Sequence, residues 1–249
     1  MKASGHTAVM ADRAPELVEA DSARTALYRR LEYFPTPPWA ARAGGELIAK
    51  LDPTPGYCWE PCCGKGHMVH GLADYFTGVR RTDICNHGWD GQDRIQDFLA
   101  PERDGPTSAD WIVTNPPFAK AAEVVTLGLQ RARRGVAILA RTTFFESAGR
   151  YPLFCGATPL TVFAPFFERV PMVLGRWDPK ASTATAYAWF IWLTPAALAD
   201  ISRTTRRLFP AEPIVMPIAP GARDRLSRPE DARLFADLGA APLLDHGHG

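Results

Sequence analysis

The sequence predicts an α/β protein organised on a doubly wound, mostly parallel sheet. Three observations carry this. From Gly56 onwards, short apolar runs alternate with stretches of helical spacing, the pattern of strands covered on both faces. A glycine-containing turn, Glu60-Pro61-Cys62-Cys63-Gly64-Lys65-Gly66, separates the first run from the helix after it. A proline-rich turn, Asn115-Pro116-Pro117-Phe118, ends the apolar run Trp111-Ile112-Val113-Thr114.

Taken in order, residues 1–30 are mixed polar and alanine-rich. Ala14 to Arg30 has helical spacing but a thin apolar stripe, which predicts an N-terminal arm. Tyr33-Phe34-Pro35-Thr36-Pro37-Pro38-Trp39 is a rigid extended entry, with Thr36 as a cap for a helix over Ala40–Leu51 that Gly44-Gly45 weaken. Seven strands follow, at Tyr57–Trp59, Val79–Asp83, Ile95–Leu99, Trp111–Thr114, Gly135–Ala140, Leu160–Phe163 and Ala186–Leu193. Helices are expected over Met68–Phe76, Ala121–Arg133 and Ala196–Leu208, with a polar loop at Asn86–Gln92 and helical or irregular chain over Thr142–Phe154. Phe166–Ser182 reads as a long basic-aromatic loop, and a proline-rich tail closes the chain. The organisation expected is an arm (1–30), a main domain (31–200) and a partly irregular C-terminal extension (201–249).

Composition narrows the function classes. With 46% hydrophobic residues among 249, the chain can bury one sizeable core. The 28 basic and 27 acidic residues nearly balance, so any nucleic-acid surface is a local patch. Five cysteines, with Cys62 and Cys63 adjacent, outline no disulfide framework, and no charged-then-apolar leader is seen, so a cytoplasmic protein is expected. The longest apolar run, Ala186–Leu193, is too short to span a bilayer, so no membrane partner is expected. Cys58, Cys62, Cys63, His67 and His70 do not repeat a two-by-two ligand spacing, so no metal is expected.

Four constellations carry chemistry. Asn115 and Pro116 at a strand end offer an amide oxygen and a backbone carbonyl to a planar amino group, and Phe118 offers a ring to stack on. The glycine turn after Glu60 lets a backbone approach a ligand closely. It fails the phosphate-loop pattern, and its acidic residue suits an ammonium or sulfonium cation. Asp83, about twenty residues on at the second strand's end, is where a doubly wound fold grips ribose hydroxyls. Asp97 can accept from an exocyclic amino group while Phe98 covers a base.

Together these residues resemble the motif series of S-adenosylmethionine-dependent methyltransferases with the Rossmann-like fold, and more narrowly the DNA enzymes acting on adenine N6. That resemblance implies a sheet whose last strand is antiparallel. It also implies a cofactor site from Thr36, Pro37, Glu60, Pro61, Cys62, Gly64, Gly66, Asp83, Ile84, Asp97 and Phe98, and catalysis by Asn115, Pro116 and Phe118. Arg169–Trp177 and Ala184–Trp192 look like small phage and prophage methyltransferases. DNA is the partner implied, with RNA open because the chemistry is identical. The chain departs from the larger enzymes in having little sequence beyond Pro195 for a recognition domain. Readout would then fall to Phe144–Lys180, to the tail or to a second subunit; in the loop, Phe166 or Phe167 would either wall the base pocket or pack in the core, and Arg169, Arg176 and Lys180 would contact phosphate. The alternatives are an RNA adenine-N6 enzyme, a protein glutamine-N5 methyltransferase and an inactive cofactor-binding module.

Overall fold

The computed structural model describes residues 15–100, 109–205 and 212–235. The first half of the arm, residues 209–211 and 236–249 of the expected tail, and the end of the helix expected to reach Leu208 lie outside the described residues. In chain order the elements are α1 (Pro15–Leu31), α2 (Pro38–Leu51), β1 (Tyr57–Glu60), α3 (His67–Leu72), β2 (Gly78–Asp83), β3 (Arg94–Ile95), β4 (Ala109–Thr114) and α4 (Ala121–Arg131). They continue with β5 (Ala132–Arg141), α5 (Tyr151–Cys155), β6 (Val162–Pro165), β7 (Tyr187–Leu193), α6 (Pro195–Thr205), β8 (Ile214–Val215), α7 (Ala222–Leu226) and α8 (Pro229–Phe235).

One sheet runs in the order β3-β2-β1-β4-β5-β7-β6-β8. β1 pairs in parallel with both β2 and β4, and β4 with β5, while β7 lies antiparallel between β5 and β6. The doubly wound sheet with its antiparallel β7 is as expected. The expected seven strands become eight among the described residues, because Ile214–Val215 pairs in parallel with β6 at the edge. Two residues flanked by prolines give no readable alternation. The third strand is also shorter than expected: only Arg94 and Ile95 pair with β2, and Asp97 and Phe98 lie in the loop beyond.

Side-chain alternation divides the core into two halves. Trp111 and Val113 of β4, Ala137 and Leu139 of β5, and Trp189 and Ile191 of β7 pack towards α2, α3, α6 and α7. Ile112, Val136, Ile138, Phe190 and Trp192 point the other way, onto α4 and α5. Every residue of β7 is buried, which is why it reads as an unbroken apolar run.

The glycine pair in α2 is explained by packing. A Cβ on Gly44 would overlap the Trp189 indole, and one on Gly45 the Tyr75 ring. Trp189 lies so close that its Nε1 donates to the Ala40 carbonyl at 3.0 Å. Thr36 does not cap α2: Pro37 holds the N-cap position without a side-chain bond, and Pro38 supplies the first helical residue. Buried Arg42 on α2 donates to both carboxylate oxygens of Asp231 at 2.7 Å and to the Leu226 carbonyl at 2.9 Å. That fork ties α7 and α8 to the main body.

Replacing Gly44 by Ala separates two effects of opposite sign. Helix propensity alone favours Ala by about 1 kcal/mol, whereas overlap with a packed indole costs about 1–3 kcal/mol. The expected outcome is net destabilisation in urea unfolding, and a gain in stability would show that the helix and β7 can move apart.

Candidate active site

β1 sits between β2 and β4, so the chain reverses its winding direction there and opens a crevice at the strands' carboxyl ends. A cavity of about 490 Å³ fills it, a size suited to a nucleotide-like ligand. Thr36, Glu60, Pro61, Cys62, Asp83, Ile84, Asp97, Phe98 and Asn115 all line it. Pro37, Gly64, Gly66, Pro116 and Phe118 do not.

Glu60 ends β1 fully buried. Its Oε1 accepts from the Cys62 backbone N–H at 2.9 Å and from the Thr114 hydroxyl at 2.5 Å. Oε2 is buried and makes no bond among the described residues. Burial pushes the carboxyl up to about 8, against the pull of those two donors, and the charge of Asp83 adds to the rise. An acceptor left bare in this way is an incomplete site, because an unpaired buried polar group is costly.

Asp83, at the end of β2, is also buried, and its Oδ2 accepts from the Gly64 N–H at 2.9 Å. The glycine turn is thereby pinned across two strands. Gly64 has φ +51 and Gly66 φ +84, and added Cβ atoms would overlap the rings of Tyr33 and Trp89. The turn therefore needs glycine for both conformation and close approach. Ile84 is 53% exposed, an apolar side chain on the cavity wall. Asp97 accepts from the Leu99 N–H at 2.8 Å, and Phe98 packs edge-on to Trp59 at 5.0 Å.

Asn115 directly follows Thr114, so the Thr114–Glu60 bond fixes its starting point. Its Nδ2 donates to the Phe34 carbonyl at 2.9 Å and approaches the Met172 sulfur at 3.9 Å. Because a carbonyl only accepts, that bond settles which end of the amide carries hydrogens, and Oδ1 is left without a partner among the described residues. Pro116 is buried, and Phe118 is half-buried with the Arg141 guanidinium 4.1 Å from its ring centre.

The loop residues divide. Of the two places open to Phe166, pocket wall or core, it takes the core: it is buried and packs edge-on to Trp39 at 5.5 Å. Phe167 is 67% exposed. Arg169 is exposed and donates to the Ala184 carbonyl at 2.8 Å, and Lys180 is exposed. Arg176 lies 3.5 Å from Asp178 and lines a separate cavity with Lys65 and Trp177.

The sequence reading missed the part played by α1. Arg29 and Arg30 of its last turn line the cavity, and Glu32 just after it accepts from the Ala119 N–H at 3.0 Å. It also missed His87, which lines the cavity with the Tyr33 ring tilted against it, centroids 4.3 Å apart. The signal available was Tyr28, Tyr33 and His87, three rings that only the fold brings together.

The Glu60 shift has a consequence for stability. A carboxyl protonated in the fold up to about pH 8 but ionised above 4.5 when unfolded makes the fold bind more protons between those limits. Stability contributed by this group is present below pH 4.5 and lost as pH rises to 8. Thermal unfolding of the ligand-free protein is expected to show that decline relative to Glu60→Gln, with a difference on the order of a few kcal/mol across the window. Parallel pH curves would mean that the carboxyl is already ionised in the fold.

No protein-family model matches the chain, and no curated protein matches it. Solved structures do resemble it. A protein of Pyrococcus horikoshii, provisionally described as an RNA methyltransferase, superposes with a TM-score of 0.50 at 15% identity, over 66% of this chain and 87% of that one. Weaker likenesses are to the methyltransferase subunit of a type I restriction-modification system from Streptococcus thermophilus (TM-score 0.44, 12% identity, 65% of this chain and 45% of that one) and to magnesium protoporphyrin IX methyltransferase from Synechocystis with bound S-adenosylmethionine (TM-score 0.41, 13% identity, 63% and 80%). The fold of this chain is that of the Rossmann-like methyltransferases.

Proposed function

We propose that this chain transfers a methyl group from S-adenosylmethionine to the N6 amino nitrogen of adenine in DNA, with the target base turned out of its stack. The observation that carries the reading is the oriented Asn115 amide, whose Nδ2 is held by the Phe34 carbonyl and whose Oδ1 has no partner among the described residues, on a cavity that Glu60, with its own unpartnered oxygen, also lines. The residues fit the cofactor. Glu60 Oε2 accepts from its ammonium group, with Thr36 and Pro37 beside the methionine end. Asp83 accepts from the ribose hydroxyls while the Gly64–Gly66 turn lets the backbone come close. Ile84, Asp97 and Phe98 surround its adenine. When bound, the cofactor supplies an electrophilic methyl carbon on a sulfonium.

The chain's own groups prepare the nucleophile. An aromatic amine is poorly nucleophilic because its lone pair is spread into the ring. Asn115 Oδ1 and the Pro116 carbonyl each accept one N–H, drawing the nitrogen towards tetrahedral geometry and stabilising positive charge as it develops there. The surplus proton passes to solvent once nitrogen is alkylated, so no strong base is needed. Phe118 offers a stacking face worth about 1–3 kcal/mol, against the few kcal/mol of unstacking. A base stacked there takes over the face that Arg141 covers. Arg169 and Lys180 are the proposed phosphate contacts. Arg176 joins them only by leaving Asp178.

The test is label transfer. Incubated with methyl-labelled cofactor and, separately, unmethylated duplex DNA, single-stranded DNA, RNA and cell protein, the chain is expected to label DNA. Asn115→Ala should lower turnover by at least 100-fold while cofactor affinity stays within about threefold, since removing transition-state acceptors acts on kcat. Label in RNA alone, or in protein alone, would overturn the DNA reading. Equal loss of affinity and turnover would remove Asn115 from the chemistry.

A further inference from the structure

The end of β2 and the turn after it hold a cluster in which two members, Cys85 and His87, have no part in the proposed methyl transfer. Asp83, Cys85 and His87 alternate along the chain, and the Cys85 N–H donates to Asp83 Oδ1 at 3.2 Å, folding the three side chains towards one another. Cys85 Sγ lies 3.3 Å from His87 Nε2, and His87 Nε2 lies 3.4 Å from Asp83 Oδ1. All three donor atoms fall within 4.8 Å of one another. Tetrahedral coordination at about 2.0–2.1 Å to nitrogen and oxygen and about 2.3 Å to sulfur sets donor–donor edges of roughly 3.3–3.6 Å. The His87–Asp83 separation falls at the nitrogen–oxygen edge, and the Cys85–His87 separation lies slightly inside the sulfur–nitrogen edge.

We propose that Asp83, Cys85 and His87 bind a zinc-type divalent cation at the rim of the cavity, and that its presence opposes cofactor binding. Thiolate, imidazole and carboxylate together match the donor set of zinc better than that of magnesium or calcium, which take oxygen. The side chains of Asp83 and His87 are 8% and 3% exposed, so the donors are largely desolvated. The carboxylate is held by Gly64 from behind, and the imidazole is held by the rings of Tyr33 and Tyr28. Asp83 and His87 also line the cavity, so water from the cavity is the proposed fourth ligand. On uptake the Cys85 thiol gives its proton to solvent, His87 donates the Nε2 lone pair and keeps its proton on Nδ1, and the hydrated cation sheds water. Arg30, whose charge reaches Cys85, is the nearby cation that opposes the site.

The antagonism rests on the reading of Asp83 as the ribose acid, since metal and ribose then compete for one carboxylate. Metal binding itself does not rest on it. A purely hydrogen-bonded cluster would hold the same atoms and take up no metal. The experiment is titration of the chelator-stripped full chain with Co²⁺, followed by its visible and near-ultraviolet absorption. One equivalent is expected to bind with a thiolate charge-transfer band. Cys85→Ser should lose the band and bind at least tenfold more weakly, and His87→Gln should weaken binding with the band retained. Histidine-only sites elsewhere in the chain give no thiolate band, and the other cysteines would keep it in Cys85→Ser. An absent band, or one unchanged in Cys85→Ser, overturns the site. Added S-adenosylhomocysteine should release the metal, and its binding alongside retained metal overturns the antagonism alone.

Discussion

The structure depends on one buried carboxyl group. Glu60 closes β1 and, through a single oxygen, holds both the glycine turn that follows it and the hydroxyl of Thr114 at the end of β4. Asn115 is the next residue along, so its position is inherited from that bond. A buried ionisable group with half of its bonding capacity unused is unfavourable in isolation. It persists because the sheet places it at the reversal of winding, where the strand ends diverge and a ligand can complete it.

The rest of the site is supported from outside the sheet. The Phe34 carbonyl orients the Asn115 amide, and Tyr33 fills the space that Gly64 leaves open while its hydroxyl accepts from the Lys65 N–H at 3.2 Å. Both residues stand in the short passage between α1 and α2. α2 is in turn fixed on one side by Trp189, and on the other by the fork between Arg42 and Asp231. The orientation of one amide at the cavity therefore leads back through the helix to the far end of the chain.

What could be read from the sequence follows from how local each signal is. β1, β4 and β7 announce themselves because strands buried on both faces are continuous apolar runs, and the polar turns at their ends stand out against them. Thr36, Glu60, Asp83, Asp97 and Asn115 were legible as an ordered series, and the cavity collects all five. The edge strand at Ile214–Val215 was not, since two residues cannot show a period. Asp231 was not, because its partner lies 189 residues away. Gly44 and Gly45 read as helix weakness, whereas they mark the approach of two rings from distant segments. Phe166 was left between pocket wall and core for the same reason: an aromatic in a basic loop gives no local sign that Trp39 covers it.

The measurement that bears most directly on the whole account is calorimetric binding of S-adenosylmethionine to the wild-type chain and to Glu60→Gln. If the free carboxylate oxygen receives the cofactor's ammonium group, the wild type binds one equivalent and the variant binds at least tenfold more weakly. Equal affinity in the two proteins, or no binding to the wild type, would contradict the account.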